Sequence, residues 1–149
     1  MSASGKNNIA LVKPLAAKPY AFSSGRIEVD LRLDSTTQTT PNAAVIFAYQ
    51  DSSNFRFAEL RPGRILFGQK GRLGGSAAMS KSKSVKIKRG VTYTLRLDLR
   101  ANGTMQIYVE DKLVATYRFK KATAGAVGLS SYKIRGYFDN MHVWSSAAF

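Results

Sequence analysis

What most constrains this chain is an alternation of apolar and polar residues with a period of two, repeated along most of its 149 residues. In Arg26-Ile27-Glu28-Val29-Asp30-Leu31-Arg32-Leu33 the aliphatic side chains share one face and the charges the other, as a half-buried antiparallel strand requires. Residues 93–99 repeat the pattern, Asn102-Gly103 supplies a tight hairpin turn, and Met105, Ile107 and Val109 carry the next inward face. Glu110-Asp111-Lys112 turns the chain again before a strand over 113–119. Upstream, 44–50, 55–60 and 64–70 read as strands parted by Asp51-Ser52-Ser53-Asn54 and Arg61-Pro62-Gly63, both rich in turn residues. Val85 and Ile87 resume the alternation, and 125–131 and 136–143 add two more strands. Residues 71–84, small and polar with only Leu73 and Met79 as anchors, read as a mobile loop or an irregular edge strand. No helix-period stretch is long enough to name. The expected fold is therefore all-β, a two-sheet antiparallel sandwich. Residues 1–21 form an N-terminal segment joining the sandwich edge, and 22–149 one domain.

Composition removes several function classes. Cysteine is absent, which excludes disulfides, thiolate zinc sites and thiol catalysis. No segment approaches the roughly 20 apolar residues of a membrane-spanning helix. Residues 1–8 are small and polar where a signal peptide needs an apolar core. The location this leaves us to expect is extracellular or at a cell surface, as part of a longer chain.

Charge points to a partner class. The 23 Lys and Arg outnumber the 9 Asp and Glu, for a net charge of +14. Between Glu59 and Asp98 lie Arg61, Arg64, Lys70, Arg72, Lys81, Lys83, Lys86, Lys88, Arg89 and Arg96 with no acidic residue among them. A second acid-free run, 112–138, adds Lys112, Arg118, Lys120, Lys121, Lys133 and Arg135. Such a field attracts polyanions.

Ala44-Val45-Ile46-Phe47-Ala48-Tyr49-Gln50-Asp51 with Asn54-Phe55, Thr92 to Leu97, Gln106-Ile107-Tyr108-Val109 with Asp111, Ala126-Val127-Gly128-Leu129 and Phe138-Asp139-Asn140 occur in that order. The series, covering most of 22–144, resembles the concanavalin A-like, laminin G-like jelly rolls of lectins and carbohydrate-binding modules. The resemblance implies two curved antiparallel sheets with glycan or protein ligands on the concave face or its rim loops. It also implies that Asp139 stands where such folds often place a structural calcium ligand. One Asp with carbonyls and waters would hold calcium only weakly; the other reading has Asp139 and Asn140 satisfying backbone amides at a bulge. Apart from such a calcium, no cofactor is expected.

Catalysis is not expected. Glucanases of this fold use Glu-x-Asp-x-x-Glu, because retaining hydrolysis needs two carboxylates about 5 Å apart. Glu28 and Asp30 match the first two positions, but Leu33 stands at the third, so both acids read as strand-surface charges able to pair with Arg96 or Arg32. Polysaccharide lyases of related folds need a Gln-x-His pair, whereas His142, the single histidine, sits between Met141 and Val143.

Phe47, Tyr93, Phe119 and Phe138 fall on core-facing positions. In Phe55-Arg56-Phe57-Ala58-Glu59-Leu60 the buried register of Ala58 and Leu60 puts Phe55 and Phe57 on the opposite face with Glu59; a register one residue off would put them in the core. On a concave face they would floor a strip between Arg56, Arg61, Arg64, Lys70 and Arg72 on one side and Lys81, Lys83, Lys86, Lys88 and Arg89 on the other. Sugar rings stack on aromatic faces and guanidinium groups grip carboxylates or sulfates. The function expected is a non-catalytic binding module for an acidic, carboxylated or sulfated, polysaccharide. The alternatives are a structural or adhesive domain of a coat, shell or cell-surface assembly, and nonspecific nucleic-acid binding.

Overall fold

Residues 8–11, 22–34, 41–132 and 136–146 are described by the computed structural model. In chain order the strands are β1 (Asn8–Leu11), β2 (Gly25–Leu33), β3 (Asn42–Asp51), β4 (Asn54–Arg61), β5 (Arg64–Lys70), β6 (Met79–Ser84), β7 (Thr92–Leu99), β8 (Thr104–Val109), β9 (Lys112–Arg118), β10 (Ala126–Tyr132) and β11 (Gly136–Ser145). They form two antiparallel sheets, β1-β10-β3-β4-β5-β6 and β11-β2-β7-β8-β9, stacked as a jelly-roll sandwich. Among the described residues no helix is long and apolar enough to cross a membrane.

The alternation in the sequence becomes the inter-sheet core. Ile27, Val29, Leu31 and Leu33 of β2, with Leu95, Leu97, Met105 and Ile107, meet Val45, Ala58, Leu60, Ile65, Phe67 and Val127 of the other sheet. Phe47 and Phe119 are buried in this core, and Tyr93 and Phe138 pack at its margin.

β3 is apolar on both faces because it serves two clusters. Val45 and Phe47 enter the main core, while Ala44 and Ile46 join Phe55 in a second cluster on the outer side of the six-stranded sheet. Ala48 has a φ of 49°, and the β3–β4 register shifts between Phe47 and Asp51. Ala48, Tyr49 and Gln50 stand against Phe55 alone in this irregularity, Phe47 and Ala48 both face the core, and Tyr49 rejoins the outer cluster.

Residues 71–78 are tied down. Leu73 and Ser76 exchange backbone hydrogen bonds of 3.3 and 2.9 Å around Gly74 and Gly75, both left-handed with φ of 58° and 77°, as a two-residue hairpin turn demands. The Gln69 amide nitrogen donates to the carbonyls of Gly71 and Ser76. The chain then returns as β6, a regular edge strand pairing β5 from Gln69↔Met79 to Arg64↔Ser84. Backbone pairing needs no apolar side chains, which is why composition understated it. Conversely, Val85 and Ile87 turn inward but lie outside a strand, and Gly63 N–H donates to the Ile87 carbonyl.

Arg56 corrects the expected ligand set. It pairs with Phe47 and Gln69, which puts its side chain on the core face, only 2% exposed. Its Nε donates to Gln69 Oε1 at 3.0 Å, its Nη1 to the Lys121 carbonyl at 2.9 Å, and its guanidinium lies 4.0 Å over the Phe119 ring. Burial pushes its pKa down to about 10. Arg56 is a strut joining β4 to the 71–78 hairpin and the segment after β9. Truncating it leaves Gln69 and Lys121 without their donor, so Arg56→Ala is expected to cost about 3 kcal/mol in urea unfolding. Arg56→Met, which keeps the stem and removes the charge, is expected to cost less.

Candidate functional site

On the outer side of the six-stranded sheet a depression of about 560 Å³ spans β3, β4, β5, β6 and β10. A recess crossing that many strands means that the sheet is dished there. Its lining includes Ala44, Ile46, Phe55, Phe57 and Leu66 as apolar floor, with Glu59, Arg61, Lys70, Ser80 and Ser130 as polar groups.

The aromatic floor follows from the register. Phe55 stacks on Tyr49 at 6.0 Å and meets Phe57 edge-on at 6.4 Å. Phe55 is 6% exposed and Phe57 more open. Opposite Phe57 stands Gly68, itself opposite Ser80, so the β5 position directly across from Phe57 carries no side chain.

The polar groups are fixed before any ligand arrives. Arg61 Nε donates to Glu59 Oε2 at 2.8 Å. Glu59 is mostly enclosed, and burial raises its carboxyl pKa although Arg61 opposes the shift through charge and hydrogen bond. Lys70 Nζ donates to the Ser52 carbonyl at 3.0 Å and sits 5.7 Å from the centre of the Phe55 ring. A carboxylate and a guanidinium held side by side offer adjacent acceptor and donor groups, a match for neighbouring hydroxyls.

Of the expected residues, Phe55, Phe57, Arg61 and Lys70 come together here. Arg64 is exposed at the end of β5, opposite Arg61, and Arg72 is exposed on the 71–78 hairpin. The strip of facing cations does not form. Lys81 and Lys83 pair with Phe67 and Ile65, which face the core, so the lysines lie on the opposite side of the sheet from Phe57. Lys86 and Lys88 are exposed beyond β6, and Arg89 is half-buried at the turn before β7. Ser80-Lys81-Ser82-Lys83-Ser84 carried this information in its own alternation. Glu59 shares the strand and face of Phe57, whereas Ala44, Ile46 and Ser130 could not have been chosen from sequence, because strand order brings them to the depression.

Elsewhere the acids are engaged. Asp30 accepts from Asn140 Nδ2 at 2.9 Å and from Thr94 Oγ1 at 2.7 Å, and these bonds lower its pKa. Arg96, expected to pair with Glu28 or Asp30, binds Asp111 at 3.1 Å and lies 3.6 Å from Asp98, while Arg32 covers the Tyr137 ring at 4.1 Å. Asp139 sits at a bulge where Asn140 has a φ of 50°, and its Oδ1 accepts the Asn140 N–H at 2.8 Å. Among the described residues no group of three His, Asp or Glu side chains could hold a metal ion. His142 is exposed and stacks on Trp144 at 5.5 Å. Trp144, 46% exposed, borders a second recess of about 550 Å³ with Arg26, Asp98 and Arg100.

No protein-family model matches the chain, and no curated protein does. Solved structures do match. A carbohydrate-binding module, CBM66 from Bacillus subtilis, superposes with a TM-score of 0.77 at 19% identity, covering 95% of this chain and 84% of that one. A galectin from Caenorhabditis elegans gives 0.62 at 15% identity over 92% and 96%. The endo-β-galactosidase from Clostridium perfringens that releases GlcNAcα1-4Gal gives 0.63 at 12% identity, covering 84% of this chain but 38% of the enzyme. These likenesses establish the jelly-roll fold.

Two outcomes follow from the carboxylates. A raised Glu59 pKa means that between about 4.5, the unfolded value, and the folded value the native state holds more proton than the unfolded chain. The ionised carboxylate then costs stability at neutral pH and nothing below the unfolded pKa. Glu59→Gln is expected to melt above the wild type at pH 7, the difference vanishing by about pH 4. At Asp139 the amide-capping contact predicts equal melting temperatures in chelator and in millimolar calcium, and no calcium-dependent change in Asp139→Asn.

Proposed function

We propose that the chain is a non-catalytic module that binds a glycan on the dished outer face of the six-stranded sheet, with a preference for acidic polysaccharide. The observation that carries the reading is the depression itself: an apolar floor with a partly exposed Phe57 ring beside the paired Glu59 and Arg61. A sugar presents an apolar ring face and a rim of hydroxyls, and this surface offers a partner for each. Similarity in fold to a carbohydrate-binding module and to galectins supports the same reading.

The non-catalytic part rests on the carboxylates. Hydrolysis of a glycosidic bond needs two acids flanking one sugar. The depression holds Glu59 alone among its lining residues, committed to Arg61, and Asp30 lies on the other sheet in a hydrogen-bonded network. The preference for acidic glycans rests on the net charge of +14 and the two acid-free runs. Its setting in this reading is outside the cell or at its surface, where such polysaccharides are met.

A glycan array tests the site. Phe57→Ala is expected to lower binding to the array's best glycan about tenfold, the loss of one stacking contact of roughly 1.4 kcal/mol, with the melting temperature close to that of the wild type. Unchanged binding in Phe57→Ala with loss in Trp144→Ala would overturn the assignment and move the sugar to the recess beside Trp144.

A further inference from the structure

We infer that the protein carries a second binding surface, a lysine stripe along the open side of the sandwich where edge strands β6 and β9 meet, and that it grips an acidic polysaccharide chain through sulfates or carboxylates. It is separate from the dished face and does not depend on a sugar being bound there.

Register puts the lysines on that side. Ser80, Ser82 and Ser84 lie across from Gly68, Leu66 and Arg64, whereas Lys81 and Lys83 lie across from the core residues Phe67 and Ile65. Because β6 is the last strand of its sheet, these inward positions reach past the rim, and both lysines are exposed. Lys81 Nζ sits 5.1 Å over the ring of Tyr117, a residue of β9, which is the last strand of the other sheet. Tyr117 in turn touches Phe67, so the inward side of β6 faces β9.

The stripe continues past the end of β9. Lys120 N–H donates to Ser76 Oγ at 3.3 Å, bringing that segment against the 71–78 hairpin. Arg56 holds the Lys121 carbonyl, which fixes the backbone while the side chains of Lys120 and Lys121 stay in solvent. A buried arginine thus positions surface lysines.

These cations are unspent. Among the described residues, ion pairs tie Arg26, Arg61 and Arg96 to Asp98, Glu59 and Asp111, and none of Lys81, Lys83, Lys120 or Lys121 forms one. No acidic residue occurs in β6, in β9 or between residues 113 and 138. At the dished face, by contrast, Arg61 is paired, Lys70 donates to a carbonyl and Arg56 is buried. The stripe follows a strand about 20 Å long at roughly 3.3 Å per residue, a length suited to a polymer.

Polysaccharide fits this surface better than nucleic acid. Single-stranded nucleic acids are held by aromatic rings on which bases stack, and Tyr117 offers no free face: it is half-buried, edge-on to Phe119 at 4.9 Å and covered by Lys81. Ammonium groups act as point charges on any chain of anions.

The test compares two triples that remove the same charge, Lys81, Lys83 and Lys121→Gln against Arg32, Arg64 and Arg100→Gln, using heparin and polygalacturonate as sulfated and carboxylated probes. The lysine triple is expected to lose at least about tenfold in affinity and to flatten the slope of log K against log salt by about 2. The arginine triple should lose less than about threefold, and Lys→Arg at the same three positions should retain affinity. Equal losses in the two triples would overturn the stripe. Duplex DNA bound as tightly as heparin, and lost with the same lysine triple, would overturn the polysaccharide assignment. Binding to neutral glycans reports on the dished face alone, so failure of either surface shows without the other.

Discussion

The claim of the inter-sheet core on one face of every strand governs the rest of this molecule. Ile27, Val29, Leu31 and Leu33 pack with Leu95 and Leu97 against Val45, Ala58, Leu60 and Ile65. Once that face is buried, a slip of one residue in any of these strands would turn its apolar side chains into water and its charges inward. Each outward residue is thereby assigned its side, whether it is Phe57 on the outer face of the six-stranded sheet or Asp30 on the other sheet.

Two local departures adapt this frame. Alternation along β3 supplies both clusters, and the bulge at Ala48 turns Ala48 to the core and Tyr49 to the outer cluster. Arg56 occupies a core position, with Nε on Gln69 and Nη1 on the Lys121 carbonyl, while its buried Nη2 has no hydrogen-bond partner. A buried guanidinium is costly unless held by such partners, and here they join the 71–78 hairpin and the segment after β9. Both proposed surfaces border those segments, so their geometry depends on a residue that touches neither ligand.

Charge is sorted by sheet. Glu28, Asp30, Asp98, Glu110, Asp111 and Asp139 belong to the five-stranded sheet and its turns, where several pair with Arg26, Arg96 or polar neighbours. The open side between β6 and β9 holds Lys81, Lys83, Lys120 and Lys121, none of which forms an ion pair among the described residues. Lysines on β6 also guard an edge strand against pairing with a second chain, so the same residues serve solubility and the proposed contact with polyanions.

The sequence by itself determined the class of fold and most strand positions, because a period of two is written directly in residues such as 26–33, while at 55–60 it left open two registers for Phe55 and Phe57. The same local rule held the division of Ser80, Ser82 and Ser84 from Lys81 and Lys83. Only the tertiary structure decided that β10 lies beside β3 and brings Ser130 to the depression, that β6 and β9 are rims of one opening, and that Arg56, on the face of Ala58 and Leu60, finds a partner in the Lys121 carbonyl. Those are facts of strand order and of one bulge, and they depend on contacts between residues far apart in the chain, which no local periodicity encodes.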